Sequence, residues 1–458
     1  MRYDQQPAWG ASLPENTMER RVLLGDSVHD RLAPPHTLSD ALAAFYSPEG
    51  HAFGLDADRL SKHLLLLGGI GSGKTNAVNL LLSQLLGQLT GQDIMLIFDA
   101  KGDYYRAFYQ PGNPRHIVIG NGRHYQHNTL RWNIFGELTG PGFSAKDCEL
   151  AAKEMASQLF ADRQSPSQPF FHMAAADLTA KAMISFLRQA STSWNAPALC
   201  NRELVQFLRG ADARTYHDMT QRWEDFRSAQ LYFGDPSQKL TGQALGVFGT
   251  INAMVSDLMV GIFGDGDGGE RDFSMRDLVR RRGGTVVFVE YDLALGDVLG
   301  PVYRILFDMA LKEALSQDSD AQGSVYLVID EFKLLPNLRH IDDALNFGRS
   351  LGVKVIAGVQ SVNQLYDIYG EYRGKALLAG FMNSFCFQTW DAESREWVSR
   401  RFGSNYQDLT FRSSDMPMHV QREGYAVEDW DIRRLRVGQA CVNITGESPF
   451  LFQFDQYR

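Results

Sequence analysis

The chain has 458 residues, of which 44% are hydrophobic and 22% charged, and a formal net charge of -9. That length accommodates roughly two to three domains with a real core, and the ordinary composition excludes disorder as the default state. The acidic balance excludes a protein that coats polyanions over its whole surface, so any contact with nucleic acid must be a local basic lining.

Residues 1 to 50 are Pro-rich and weakly periodic, and read as an arm or strap with one helical turn near Leu38 to Phe45. The opening stretch MRYDQQPAWGASLPENTMERR is polar and has no apolar core of a secretory signal. No segment approaches the roughly 18 apolar residues of a membrane helix. Direct membrane insertion is therefore not expected, and a cytoplasmic location is. Cys148, Cys200, Cys386 and Cys441 are far apart, with no C-x-x-C pair, and are expected as buried free thiols.

From residue 51 onward, strands and helices alternate. The apolar run His63 to Gly68 predicts a strand, and Thr75 to Leu89 carries apolar residues at helical spacing. Further strands are predicted at Asp93–Asp99, Thr285–Tyr291, Val325–Glu331, Val353–Gln360 and Phe381–Trp390, with helices such as Leu299–Leu315 and Ile341–Leu351 between them. Between about Ala145 and Gly264 the strand pattern stops. Phe171, Ala175, Leu178 and Ala182, then Leu204, Phe207 and Leu208, recur at steps of three and four. GDGDGGERD (Gly264 to Asp272) reads as a return linker, after which Ser274 is placed as a helix N-cap with Asp277 in the capping position. The expected fold class is α/β: a RecA-like, doubly wound, mostly parallel sheet of a P-loop NTPase with an inserted all-α domain. Its expected parts are an arm (1–50), a nucleotide-binding domain in two pieces (51–144 and 265–458), and the all-α domain (145–264).

The chemistry begins at LLLLGGIGSGKTN, where Gly68, Gly73, Lys74 and Thr75 fit G-x-x-x-x-G-K-[ST]. Glycines let successive backbone N–H groups curl around phosphates. Lys74 supplies charge to the β and γ phosphates, and Thr75 offers its hydroxyl to Mg²⁺. Gly71, Ser72 and Asn76 complete the expected ATP-binding loop, and the following helix adds the positive end of its dipole. The apolar strand ending in Asp330 and Glu331 places one carboxylate to hold Mg²⁺ and the next to polarise the attacking water. Gln360, at the end of the next strand, is positioned to sense the γ-phosphate or orient water. Arg349 is a candidate finger for a neighbouring subunit's nucleotide, with a surface or intersubunit salt bridge as an equal alternative. Asp99, Lys101 and Asp103 end another strand, where a plain turn is as good a reading as a functional one. Arg276, Arg280, Arg281 and Arg282 form the densest basic cluster, followed by Arg433, Arg434 and Arg436. Solvated helix ends are the favoured reading for both, with phosphate contact the alternative.

Taken in order, GGIGSGKT, FDAKGD, WNIF (Trp132 to Phe135), FFHMAAADLTAKAMISFL, VYLVIDEF, GRSLGVKVIAGVQSVNQLYDIYG and CVNITGESPF resemble the coupling-protein ATPases of type IV secretion and conjugation. This is the TraD/TraG-type branch of the FtsK/HerA motors. The resemblance covers roughly residues 50 to 455. It implies a homo-hexameric ring with ATP sites between subunits, and translocation of DNA or a relaxase–DNA nucleoprotein to a secretion channel. It also implies Lys74 and Thr75 on phosphate and Mg²⁺, Asp330 and Glu331 on Mg²⁺ and hydrolysis, Gln360 as sensor and Arg349 as the trans finger. Membrane-anchored relatives begin with transmembrane helices that this sequence lacks, so a separate membrane subunit could serve as its docking partner. A cytoplasmic HerA-like translocase in repair or defence, and a recruitment platform assembled by ATP, are the alternatives. The intact acid pair argues against the platform.

Overall fold

The structure, a computed structural model, describes residues 2–4, 17–28, 38–122, 125, 128–163, 169–234, 237, 240–317, 323–412 and 417–458. Its centre is a nine-stranded sheet. In chain order the strands are β1 (Leu64–Leu67), β2 (Ile94–Asp99), β3 (His116–Ile119), β4 (Thr285–Glu290), β5 (Val325–Ile329), β6 (Val353–Val359), β7 (Asn383–Phe387), β8 (Gln439–Asn443) and β9 (Phe450–Gln453). In space they run β9-β8-β7-β1-β6-β5-β2-β4-β3. Every pairing from β7 to β3 is parallel, and β8 and β9 close one edge antiparallel.

The sequence explains this directly. Strands β1 and β5 are continuous apolar runs, and β2 and β6 are interrupted only by Asp99 and Lys354; every residue of the four is buried, the signature of a parallel sheet covered on both faces. Alternate residues of β1 divide between the two cores, with Leu65 and Leu67 in one and Leu64 and Leu66 in the other. Because the strands are parallel, their carboxyl ends share one edge. Gly68, Ala100, Asp330, Gln360 and Gln388 follow β1, β2, β5, β6 and β7 there.

All elements between Ala145 and Leu258 among the described residues are helical. They include α1 (Ala145–Leu159), α2 (Pro169–Thr192), α3 (Asn201–Gly210), α4 (Ala213–Arg222) and α5 (Gly242–Leu258). Ser144 opens α1 with a capping box to Asp147, and Ala175, Leu178 and Ala182 turn one face of α2 into the core. The chain enters and leaves this block through paired strands, Arg131–Trp132 beside Asp272–Phe273. Ser274 is the N-cap of the next helix, accepting from the Asp277 N–H at 3.2 Å. The remaining N–H groups of the first turn are taken by Glu137 rather than by Asp277. Glu137 accepts from the N–H groups of Met275 (2.6 Å) and Arg276 (3.1 Å), from Ser274 Oγ (3.0 Å) and from Trp132 Nε1 (3.0 Å). Four donors on one fully buried carboxyl staple both crossing points together, although burial still raises its pKa.

The first fifty residues differ from expectation. Where one helical turn is predicted near Leu38–Phe45, Ala43–Tyr46 is a strand paired antiparallel with Ala52–Leu55. The local period is two, with Ala43 and Phe45 buried and Tyr46 exposed. Phe45 stacks on Phe53 at 4.9 Å, and Phe53 meets Phe450 and Phe452 edge-on, so burial against distant aromatics sets the conformation. Thr17–Gly25 pairs with Ser404–Arg412, whose other side carries Pro417–Tyr425. Arg20 anchors this strand through Asp431 at 2.9 Å, with both side chains buried. All four cysteines are free, and Cys148 is only partly buried. Cys386 and Cys441 stand opposite each other on β7 and β8, where burial raises both thiol pKa values.

Candidate nucleotide site at the sheet edge

Strand β1 stops because Gly68 must bend. Its N–H donates to Val359 O at 3.2 Å, and the next N–H, of Gly69, donates to Gln388 O at 2.8 Å. Gly71 and Gly73 have φ of 73° and 113°, a region L side chains rarely adopt, and a Cβ on Gly73 would lie 2.8 Å from Gly438 Cα. The helix Lys74–Leu85 then begins without a side-chain cap. Its first N–H groups and its dipole are left facing the loop, which is what an anion requires. Lys74 is buried and folds back, donating to Gly68 O at 2.6 Å and Gly69 O at 3.0 Å. Desolvation lowers its pKa, while the Asp330 and Glu331 carboxylates pull it up. Ser72 Oγ is buried and without a hydrogen-bond partner.

The acid pair faces this loop from β5. Asp330 Oδ2 accepts from Thr75 Oγ1 at 3.3 Å, and its Oδ1 is buried with no partner. Burial raises the Asp330 pKa, and Lys74 offsets this in part. The Tyr104 hydroxyl approaches the same carboxylate without reaching hydrogen-bond geometry. Glu331 is held differently. Gln360 Nε2 lies 2.8 Å from each of its oxygens, and Lys333 Nζ is 3.8 Å away. Gly358 allows the close approach of strands that makes this possible, since a Cβ there would sit 2.2 Å from Asp330 O. Lys74, Thr75, Asp330, Glu331 and Gln360 thus converge on one edge.

The remaining candidates are placed elsewhere. Asn76 sits in the first turn, but its amide is committed to the segment after β9, donating to Asp455 O and accepting from Tyr457 N, both at 2.8 Å. Arg349 precedes β6 whereas Gln360 follows it. At ~3.3 Å per residue, the seven residues of the strand put the two about 23 Å apart, at opposite edges. Within one chain Arg349 pairs with Asp58 at 2.8 Å, both side chains being 58% exposed. Asp99 organises a turn, its carboxylate accepting from the N–H groups of Lys101, Asp103 and Tyr105. In the densest arginine cluster Arg281 is a solvated helix end, its side chain 79% exposed, whereas the others are engaged within the chain. Arg276 and Arg280 converge on Glu313, Arg281 pairs with Asp277, and Arg282 is buried against Gln92 O and Gln317. In the second cluster Arg433 lies over the Trp390 ring.

Sequence reasoning missed Gly438, whose N–H donates to Ser72 O at 2.9 Å, and Tyr104 beside Asp330. The only available signal for Tyr104 is its position just after the turn that follows β2. Among the described residues no group of three or more His, Cys, Asp or Glu could hold a metal. A divalent ion here would have to share its coordination with phosphate oxygens. Thr75 and Asp330 suit that role, with one buried carboxylate oxygen unpartnered.

The model of the type IV secretion-system coupling protein DNA-binding domain family matches residues 53–420. The chain belongs to this family. The coupling protein TraD of Escherichia coli K12 is 21% identical over 334 residues, covering 71% of this chain and 41% of TraD. The conjugal transfer protein TraG of Agrobacterium fabrum is 25% identical over 150 residues, covering 31% of this chain and 22% of TraG. The chain thus spans less than half the length of these curated relatives. Among solved structures, the conjugative coupling protein TrwB lacking 70 N-terminal residues superimposes with a TM-score of 0.70 at 20% identity, covering 96% of this chain and 95% of that one. That likeness establishes the coupling-protein fold, a large parallel sheet with a helical block, and TrwB itself has been solved with ADP and Mg²⁺. Among the described residues no helix is long and apolar enough to cross a membrane.

Proposed function

We propose that this chain is an ATP-hydrolysing motor that moves DNA, or a relaxase–DNA nucleoprotein, toward a conjugation or secretion channel. The observation that carries the reading is the convergence of Lys74, Thr75, Asp330, Glu331 and Gln360 on one sheet edge, in a chain matched to the coupling-protein family over residues 53–420.

ATP enters with its phosphates in the Gly68–Thr75 loop. Lys74 exchanges two backbone carbonyls for the β and γ oxygens, which costs little because its ammonium is already desolvated. Thr75 and Asp330 would hold Mg²⁺, which when bound neutralises charge on the phosphates. Glu331 orients a water and accepts its proton as the new O–P bond forms and the bond to ADP breaks. Gln360, which grips both Glu331 oxygens, moves between that carboxylate and the γ-phosphate.

Arg349 lies about 23 Å from its own site, so any role on nucleotide falls to a neighbouring copy. That geometry supports a ring, read here as a homo-hexamer with Arg349 as its trans finger. We further assign 51–144 and 265–458 to the motor domain, 145–264 to the substrate-facing helical domain and 1–50 to the arm. The location is cytoplasmic, reaching the inner membrane through a separate membrane subunit or channel protein.

The test is ATP hydrolysis by the full chain with and without DNA, for wild type and Glu331→Gln. DNA stimulation in wild type and its loss in the variant are expected. Hydrolysis that ignores both DNA and the substitution would sink the motor reading.

A further inference from the structure

Thr75 holds Asp330 and Gln360 holds Glu331, and in the proposed nucleotide site the γ-phosphate lies toward this acid pair. A triphosphate lying along the loop must therefore deliver its nucleoside to the opposite flank. Two segments remote in sequence are built onto that flank. The first is the turn Arg436–Gly438, where the Gly438 N–H donates to Ser72 O at 2.9 Å, and Gly438, at φ 76°, packs against Gly73. Gln453 Nε2 braces this turn through Val437 O at 3.1 Å, and Phe454 N through Gly438 O at 2.8 Å. At its tip Val437 is 69% exposed, an aliphatic side chain held rigidly beside a phosphate loop with nothing covering it. The second segment is Asp455–Tyr457, tied to the first turn of the loop helix by both ends of the Asn76 amide. The Tyr457 ring packs 5.7 Å from Phe108, half-buried on the same side. The loop itself still holds an unpartnered buried hydroxyl, Ser72 Oγ, so the cradle these segments flank is built for a polar ligand.

We propose that Val437 and the Asn76-bound segment Asp455–Tyr457 form the nucleoside-binding wall of this site. The wall takes the ribose and base of a nucleoside triphosphate that the glycine loop holds by its phosphates. This rests on the nucleotide reading above and goes beyond it, because it separates recognition of the nucleoside from recognition of the phosphates. Asn76 then acts as a positioning residue. Its side chain holds the wall, while its backbone N–H belongs to the helix terminus.

The experiment is calorimetric titration of the full chain with MgATP and, separately, with magnesium tripolyphosphate, which has the phosphates and no nucleoside. Val437→Ser changes an exposed side chain and preserves the fold. Burying one small aliphatic group is worth roughly fivefold to tenfold in affinity, so ATP should weaken by about that much while tripolyphosphate changes by less than about twofold. Asn76→Ala should give the same split through loss of the strap. Equal weakening of both ligands would show that these segments merely shape the loop, and no weakening of either would show that the nucleoside lies elsewhere. Each result overturns the proposal. Lys74→Ala distinguishes the two readings. If it abolishes binding of both ligands while Val437→Ser changes neither, the nucleotide site stands and the wall falls. If wild type binds neither ligand, the nucleotide reading falls and takes the wall with it.

Discussion

Asp93 and Asp330 lie at opposite edges of the same sheet, and their surroundings are opposite too. Asp93, just before β2, is buried and accepts from Thr90 N at 2.8 Å, Thr90 Oγ1 at 2.7 Å and Ser324 N at 2.7 Å. Asp330, just after β5, accepts one long bond from Thr75, has a buried oxygen with no partner, and carries a pKa raised by burial. One carboxylate is saturated and ties strand ends together. The other is held in a costly environment until something positive arrives. The difference teaches which edge is structural and which is chemical.

That contrast can be broken by substitution. The largest effect expected is at the chemical edge. Glu331→Gln or Lys74→Ala should lower kcat for ATP hydrolysis by about 10²-fold or more, measured as phosphate release, with melting temperature little changed. Next, Asp93→Ala should cost about 1–3 kcal/mol in urea denaturation, because three part-buried hydrogen bonds, two of them from backbone N–H groups, lose their charged acceptor. Asp330→Asn should do the reverse, leaving the nucleotide-free protein as stable or about 1 kcal/mol more stable while abolishing Mg²⁺-dependent turnover. Equal destabilisation by both would erase the distinction.

His63, at the structural edge, sharpens the comparison through pH. It is buried, accepts from Val355 N at 3.1 Å, and desolvation lowers its pKa from 6.5 to about 4. The native state therefore keeps it neutral while the unfolded chain takes up a proton. Its contribution is complete above pH 6.5 and is lost as pH falls toward 4, by up to about 3 kcal/mol. Asp330 has the opposite sign. Its folded pKa is raised, so its stability penalty appears as pH rises through the unfolded value. The unfolding free energy of His63→Gln between pH 6.5 and 4 should lose most of the wild-type slope. The smallest effect is Arg349→Ala, worth a few tenths of a kcal/mol in stability because its pair with Asp58 is exposed. A loss of hydrolysis far larger than that small change would mark it as acting on a neighbour's nucleotide.

The central parallel strands and the phosphate loop were legible in the sequence because a buried parallel strand is a largely apolar run and the loop has a fixed glycine spacing, whereas the edge strand His116–Ile119 and the paired strands Thr17–Gly25, Ser404–Arg412 and Pro417–Tyr425 were not read. Glu331 and Gln360 were legible for a related reason: strand ends of a parallel sheet share an edge. What was hidden depends on contacts between distant residues. The Ala43–Tyr46 strand is dictated by Phe450 and Phe452, some four hundred positions away, and Glu137 caps a helix that begins at Met275. The engagement of Arg276 and Arg280 was hidden for the same reason, since their partner Glu313 lies on another helix. Asn76 reads as part of the loop motif, and only the fold shows its side chain holding Asp455 and Tyr457.

The phosphate loop draws its walls from the far end of the chain. Gly69 leans on Gln388, Ser72 on Gly438 and Asn76 on Tyr457. Closing such large loops is entropically slow, so the cradle should be among the last parts to form. A ribosome-bound chain would carry the complete GGIGSGKT motif for most of its synthesis without a finished site. It would become competent for ATP only after residue 457 had emerged.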